Sequence, residues 1–343
     1  MTDRAGTDRD GTDRDGTDRA GTDRAGTDHA PTDREQLLDE LRPTAFAIAY
    51  RMLGSVSEGE DVVQEALLRV HQSLDAGEEI ASPRAFLATI TTRLAINELK
   101  SARARRERYV GEWLPEPILT DSSLVIGAGS FDDPAKQAET ADSLSLAMLV
   151  LLESLSPEQR AVLLLHDVFG YGYPEITSIV GKTEDNVRQL ATRARQHVKA
   201  KRPRFTTSRE QQRELAARFF AAAHDGDLAS LESLLAHDVE LTGDGGGKVP
   251  ALARSLRGRG RVAKTLGNWL RQLSRFPQVS MRPVEVNGGP GAIYVDDQDR
   301  VLGVWSLEIT DGEITGIRSI VNPDKLAHLG EVGDVVAIIQ SAR

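Results

Sequence analysis

"LSPEQRAVLLLHDVFGYGYPEITSIVGKTEDNVRQLATRAR", Leu155 to Arg195, holds two helix starts, one sharp stop and a basic helix. Ser156, Pro157 and Gln159 stand in capping-box positions ahead of an apolar run. Pro174 starts a second, short helix, where a fixed φ and a missing N–H cost nothing. Gly181 stops it, because glycine enters the left-handed conformation without a steric penalty. Thr183 caps the next helix, whose first turn carries Glu184 and Asp185, the charge a helix N-terminus favours. Val187, Leu190, Ala191, Ala194 and Val198 recur at helical spacing and predict its buried stripe. Asn186, Arg188, Gln189, Thr192, Arg195 and Lys199 fall on the other side. Short helix, glycine turn and basic helix are the layout of a helix-turn-helix, whose second helix enters the major groove. Arginine forks onto guanine there, and Asn or Gln pairs with adenine. A plain amphipathic helix would also show a basic face, but cap, turn and stripe coincide here.

Upstream, residues 35–110 read as three helices. "LLDELRPTAFAIAYRML" closes at Gly54, and "SEGEDVVQEALLRVHQSL" opens with Ser57 and Glu60 in capping spacing. "SPRAFLATITTRLAINELKSARARRERY" opens with Ser82 as cap and Pro83 in the first helical position. Short connections predict a compact all-α bundle. On the second helix Asp61, Gln64 and Glu65 share one face, while Val62, Val63, Ala66 and Leu67 take the other. The third helix carries Arg93, Lys100, Arg103, Arg105, Arg106 and Arg108 against Glu98 and Glu107 only. Such a helix attracts a phosphate backbone.

The rest of the chain divides by composition. Residues 1–34 begin with a five-residue repeat, "TDRAG" or "TDRDG", that can bury no core and is expected to be a disordered tail. Residues 111–140 are rich in Pro, Gly, Ser and Asp and read as a linker. It opens on "WLPEP", a tryptophan between an arginine-rich helix end and two helix-forbidding prolines. Residues 141–204 hold the helix-turn-helix. Residues 209–330 give helices at 209–224, 227–236 and 258–274, then strands at 279–286, 292–297, 301–310 and 313–321, an α+β domain. Residues 331–343 are left as a tail.

Composition excludes several chemistries. The 343 residues contain no cysteine, so there is no disulfide and no thiolate site. The seven histidines are scattered, and no metal or cofactor is expected. No apolar run approaches the roughly 20 residues that span a bilayer, and the first residues lack the apolar core of a signal peptide. A cytoplasmic protein without membrane contact is expected. The formal net charge is −10, but local charge is the better footprint for nucleic acid.

"IAYRMLGSVSEGEDVVQEALLRV" resembles conserved region 2 of bacterial sigma factors, and the segment quoted first resembles region 4. The absence of intervening regions is the pattern of the extracytoplasmic-function class. "WLPEP", "DGGGK" at 244–248 and "NPDKL" at 322–326 are similar to the signature of its ECF41 group, whose members carry a C-terminal SnoaL/NTF2-like cone domain. The resemblance covers residues 35–330. It implies a multidomain protein, with two all-α sigma domains and an α+β domain, that binds core RNA polymerase and promoter DNA. Asp61, Gln64 and Glu65 would then dock on the β′ clamp, while region 4 meets the β flap. Arg93, Asn97, Lys100, Arg103, Arg105, Arg106 and Arg108 would engage the −10 element. Thr183, Asn186, Arg188, Gln189, Thr192 and Arg195 would read the −35 element. Arg93 and Asn97 stand where many members of the wider class have Asn and Asp.

An intramolecular contact is expected between Trp113, Leu114 and Pro115 and the pair of motifs made by Asp244, Gly245, Gly246, Gly247 and Lys248 with Asn322, Pro323, Asp324 and Lys325. Asp244 beside three glycines also fits a buried catalytic base, though a glycine turn presenting an interaction loop is the simpler account. No second catalytic group accompanies it, so no enzyme is expected. A helix-turn-helix activator with a ligand-sensing or catalytic domain is the alternative, and the region 2 resemblance speaks against it.

Overall fold

A computed structural model describes residues 33–120, 143–201 and 208–341. Residues 1–32, 121–142, 202–207 and 342–343, which include the repeat tail and the linker after Thr120, lie outside them. Helices α1 (Asp33–Leu53), α2 (Val56–Asp75) and α3 (Pro83–Arg106) form the first bundle. Its core is Leu41, Ile48, Leu53, Val63, Ala66, Val70, Leu87 and Ala95. Gly54 ends α1 with φ 68°. The cap of α2 differs from expectation: Ser55, two residues earlier than Ser57, accepts the Glu58 N–H at 3.2 Å.

The second helical unit is α4 (Leu146–Leu152), α5 (Pro157–Leu163), a π-helical turn (Leu164–Val168), α6 (Tyr173–Val180) and α7 (Glu184–Lys201). The Ser156–Gln159 capping box forms on both sides. Gly181 is left-handed at φ 65° and ψ 38°. Val187, Ala191, Ala194 and Val198 are buried, whereas Leu190 is half-exposed.

The C-terminal domain runs α8 (Arg209–Asp225), α9 (Leu228–Leu234), β1 (Leu235–Asp244), β2 (Leu256–Arg257), α10 (Arg259–Leu273), β3 (Ser280–Val286), β4 (Gly289–Val295), β5 (Val301–Thr310), β6 (Glu313–Ile320) and α11 (Val335–Ser341). One six-stranded sheet has the order β2-β1-β6-β5-β4-β3, with β1 and β6 parallel and the other pairs antiparallel. The helix expected over 227–236 stops at Leu234, and "LAHDVELTGD" is the strand β1, whose burial alternates from Val239 to Gly243. The C-terminal tail contains α11, whose Val335 and Ile338 pack on the domain core.

The two faces of the sheet have different neighbours. Leu241, Trp305, Leu307 and Ile317 face α8, α9 and α10 and make the domain's own core. Val286, Ile293, Val304 and Ile320 belong instead to one continuous core with the first bundle and α4. The α+β domain therefore presses one sheet face onto the helical units.

Candidate nucleic-acid interface and interdomain clasp

Helix α7 presents its polar side outward. Thr183, Asn186, Arg188, Gln189, Thr192 and Lys199 are exposed, and the Thr183 hydroxyl accepts the Asn186 N–H at 3.4 Å. The Arg188 guanidinium lies 4.5 Å over the Tyr173 ring and donates to Glu184 at 3.0 Å. Arg195 donates to Asp167 at 3.0 Å and to the Tyr173 hydroxyl at 3.2 Å. Hydrogen bonding to Asp167 moves its pKa up, so it stays cationic. Both arginines are oriented by neighbours that hold them weakly, since exposed ion pairs contribute only about 0–1 kcal/mol. A phosphate or base edge can displace those carboxylates.

Helix α3 is engaged differently. Arg93 donates to the Ser178 carbonyl at 2.7 Å and the Ile179 carbonyl at 3.0 Å. These belong to the last turn of α6, where carbonyls lack helical partners and favour a cation. Lys100 sits 3.4 Å from Glu158 at the start of α5. Arg106, expected to engage the −10 element, turns inward to Glu153, to the Leu53 carbonyl at 2.7 Å and to the Trp113 ring at 3.7 Å. Asn97 and Arg108 are exposed. The side chains of Arg103 and Arg105 lie outside the described ones. In this arrangement α3 faces α5 and α6, and Arg93 and Arg106 are already occupied.

On α2, Asp61, Gln64 and Glu65 are exposed as the spacing predicts. Leu68 continues that face one turn on and is 49% exposed. An acidic and amide patch around a bare leucine is suited to docking.

The clasp centres on Asp244 at the end of β1, whose side chain is wholly buried. One carboxylate oxygen accepts the Leu114 N–H at 2.8 Å and the Lys325 ammonium at 2.7 Å. The other accepts the Tyr109 hydroxyl at 2.5 Å and the Gly246 N–H at 3.1 Å. With four donors, this carboxylate is committed to structure. Lys325 also donates to the Leu114 carbonyl and lies 4.2 Å over the Trp113 ring. The indole is thus held between two cations, Arg106 and Lys325. Burial pulls the Lys325 pKa down, and Asp244 opposes that shift. Burial, and then the Asp244 hydrogen bond, pushes the Tyr109 phenol up, so it remains a donor. Asn322 donates to that hydroxyl at 2.8 Å.

The three motifs therefore meet. Gly246 and Gly247 are left-handed, at φ 59° and 72°. A Cβ on Gly246 would lie 2.3 Å from Asn322 Nδ2, and one on Gly247 3.0 Å from Val110. Close approach explains these glycines. Gly245 is packed under the Val249 carbonyl, and Lys248 pairs with Asp324 at 2.7 Å. Asn322 caps the turn Pro323–Lys325 by accepting the Asp324 N–H at 3.1 Å. Pro115 and the Trp113 ring lie against Gly54, where a Cβ would be 3.1 Å from the indole.

Sequence reasoning missed two residues that complete the clasp. Glu116 is buried and accepts the Val56 N–H at 2.7 Å, the Ser57 N–H at 3.2 Å and the Ser55 hydroxyl at 2.7 Å. A carboxylate from "WLPEP" thus completes the N-terminus of α2, which suits the helix dipole. Asn287 is fully buried at φ 53°. Its amide donates to the Tyr50 hydroxyl at 2.7 Å and the Leu144 carbonyl at 3.0 Å, and accepts the Ile118 N–H at 2.9 Å. The extended chain then bridges Leu119 to Val286 beside β3. Leu114 to Ile118 are buried, so residues 112–120 of the linker are a docked strap.

Known proteins place this architecture. The chain matches Sigma-70 region 2 over residues 37–105 and Sigma-70 region 4 over residues 145–198. It is 35% identical over 294 residues to the ECF RNA polymerase sigma factor SigJ of Mycobacterium tuberculosis, covering 84% of this chain and 91% of that one. The chain belongs to the extracytoplasmic-function sigma factors. The probable sigma factor SigI of the same organism is 32% identical, over 82% of this chain and 91% of its own. The crystal structure of SigJ matches with a TM-score of 0.65 at 33% identity, covering 85% of this chain and 98% of that chain. This sigma factor therefore has region 2 in α1–α3, region 4 in α4–α7 and a fused α+β domain. Among the described residues no helix is long and apolar enough to cross a membrane.

Proposed function

We propose that this sigma factor joins core RNA polymerase through the α2 face of Asp61, Gln64, Glu65 and Leu68, reads the −35 element with α7 and engages the −10 element with α3. Region 4 would meet the β flap. The fused domain tunes this activity through the clasp at Asp244, with no separate inhibitor required. One contrast carries the reading: Asp61, Gln64 and Glu65 of α2 and most of the polar side of α7 point to solvent, while Arg93 of α3, itself exposed, is hydrogen-bonded to the last-turn carbonyls of α6. The closed chain offers its polymerase face and its −35 face, but part of its −10 face only after regions 2 and 4 separate. Asp244 is taken as a structural carboxylate, because four donors occupy it.

The test is run-off transcription with purified core enzyme on the protein's own upstream DNA. Full-length protein should direct a discrete transcript. Arg188→Ala should weaken the cognate −35 element by about 1–3 kcal/mol relative to a scrambled one. Equal loss on both templates would leave Arg188 as a phosphate contact only. No transcript from any template would remove the initiation role.

A further inference from the structure

Residues 245–284 contain nine lysines and arginines and no aspartate or glutamate, in a chain of net charge −10. Helix α10 lies in the middle of this stretch. Val262, Ala263 and Leu266 fix its orientation by burying against the domain core. Arg261, Lys264, Asn268, Arg271 and, just past the helix end, Arg275 are all exposed. They recur at intervals of three and four and so form one stripe along the opposite side. Between Arg261 and Arg271 the stripe is about 15 Å long at 1.5 Å per residue.

Ion pairing is confined to the flanks of the segment. Arg257 pairs with Glu240, Arg259 with Glu313, Arg282 with Asp299 and Lys248 with Asp324. Among the described residues Arg261, Lys264, Arg271 and Arg275 have no carboxylate partner. Arg271 is steered along the stripe instead, donating to Asn268 Oδ1 at 2.5 Å and to the Gly267 carbonyl at 3.2 Å. The first turn of α10 has no acid and no side-chain cap, unlike α1, α2, α7 and α8, whose first turns are acidic. Cations at the positive end of a helix cost stability in the free protein, and a bound polyanion relieves that cost. The stripe also lies across the sheet from the clasp, since α10 packs on the face that the sigma regions leave alone. It is open whether the clasp is shut or released.

We infer that the exposed face of α10 is a third, sequence-independent DNA contact of this sigma factor, in which Arg261, Lys264, Arg271 and Arg275 bind the phosphates of a duplex. The inference extends the promoter-binding reading, and its test uses neither promoter nor polymerase, so that the two can fail separately. Full-length protein is titrated by fluorescence anisotropy against a random-sequence 30-base-pair duplex at several salt concentrations. The variant Arg261→Gln, Lys264→Gln, Arg271→Gln should bind roughly tenfold or more weakly at low salt. The slope of log affinity against log salt should fall by about 0.9 per lost contact, so by about 2.7. Arg261→Lys with Arg271→Lys should keep both affinity and slope, since a phosphate contact needs charge more than shape. The changed residues are exposed, so the thermal midpoint should hold. Unchanged affinity and slope in the glutamine variant would overturn the assignment.

Discussion

Asp244→Ala is expected to cost about 3–5 kcal/mol of stability, the usual result of removing one partner from a buried ion pair. The loss exceeds one interaction, because Lys325, the Tyr109 hydroxyl and the Leu114 N–H would all lose their bond to this carboxylate. Trp113→Ala should cost about 2 kcal/mol, less than a fully buried tryptophan because the indole is only half-buried. Both changes release the same strap, so their effects should not add: the double variant should be less destabilised than the sum by about 1 kcal/mol or more. Denaturant unfolding of the four proteins measures this, and run-off transcription should shift in the same direction for both single variants. Additive stabilities with opposite effects on transcription would reduce the strap to a spacer.

Asp61→Arg should abolish co-purification with core polymerase while leaving the thermal midpoint within a degree or two. The expectation rests on geometry. Asp61 is exposed, and its neighbours Val62 and Val63 carry the packing of α2. Reversing a charge at the centre of an interface costs several kcal/mol in binding, whereas an exposed substitution outside caps and ion-pair networks changes folding by about 0.5 kcal/mol or less. Normal recovery with core enzyme would remove α2 as the docking face.

The features that could be read from sequence are those that local chemistry decides. The Ser156 capping box, the Gly181 stop and the exposed face of α7 each depend on residues within a few positions. The strand β1 was hidden because "LESLLAH" continues a helical pattern and the glycines after Asp244 resemble a loop. Its strand character comes from pairing with β6, more than 70 residues away. The cap of α2 was misplaced by two residues for the same reason. Ser55 works together with Glu116, and nothing near Ser57 announces that acid. Asn287 sits before Gly288, which does signal a turn, but its bond to Tyr50 spans 237 positions. The clasp motifs could be named from their resemblance to a known group, while the inward turn of Arg106 toward Trp113 could not. A cation run looks the same in sequence whether it faces DNA or an aromatic ring.

The free protein is expected to be closed, with Arg93 against α6 and the strap on Asp244, and core polymerase is expected to open it. The absence of cysteine makes paired labels straightforward. Spin labels at Gln72→Cys on α2 and Lys182→Cys beside α7, both exposed positions, can be followed by pulsed dipolar spectroscopy. A single narrow distance is expected for the free full-length protein, a longer one after addition of core enzyme, and a broadened one for free protein carrying Asp244→Ala. The same narrow distance with and without bound polymerase would mean that regions 2 and 4 do not separate on binding.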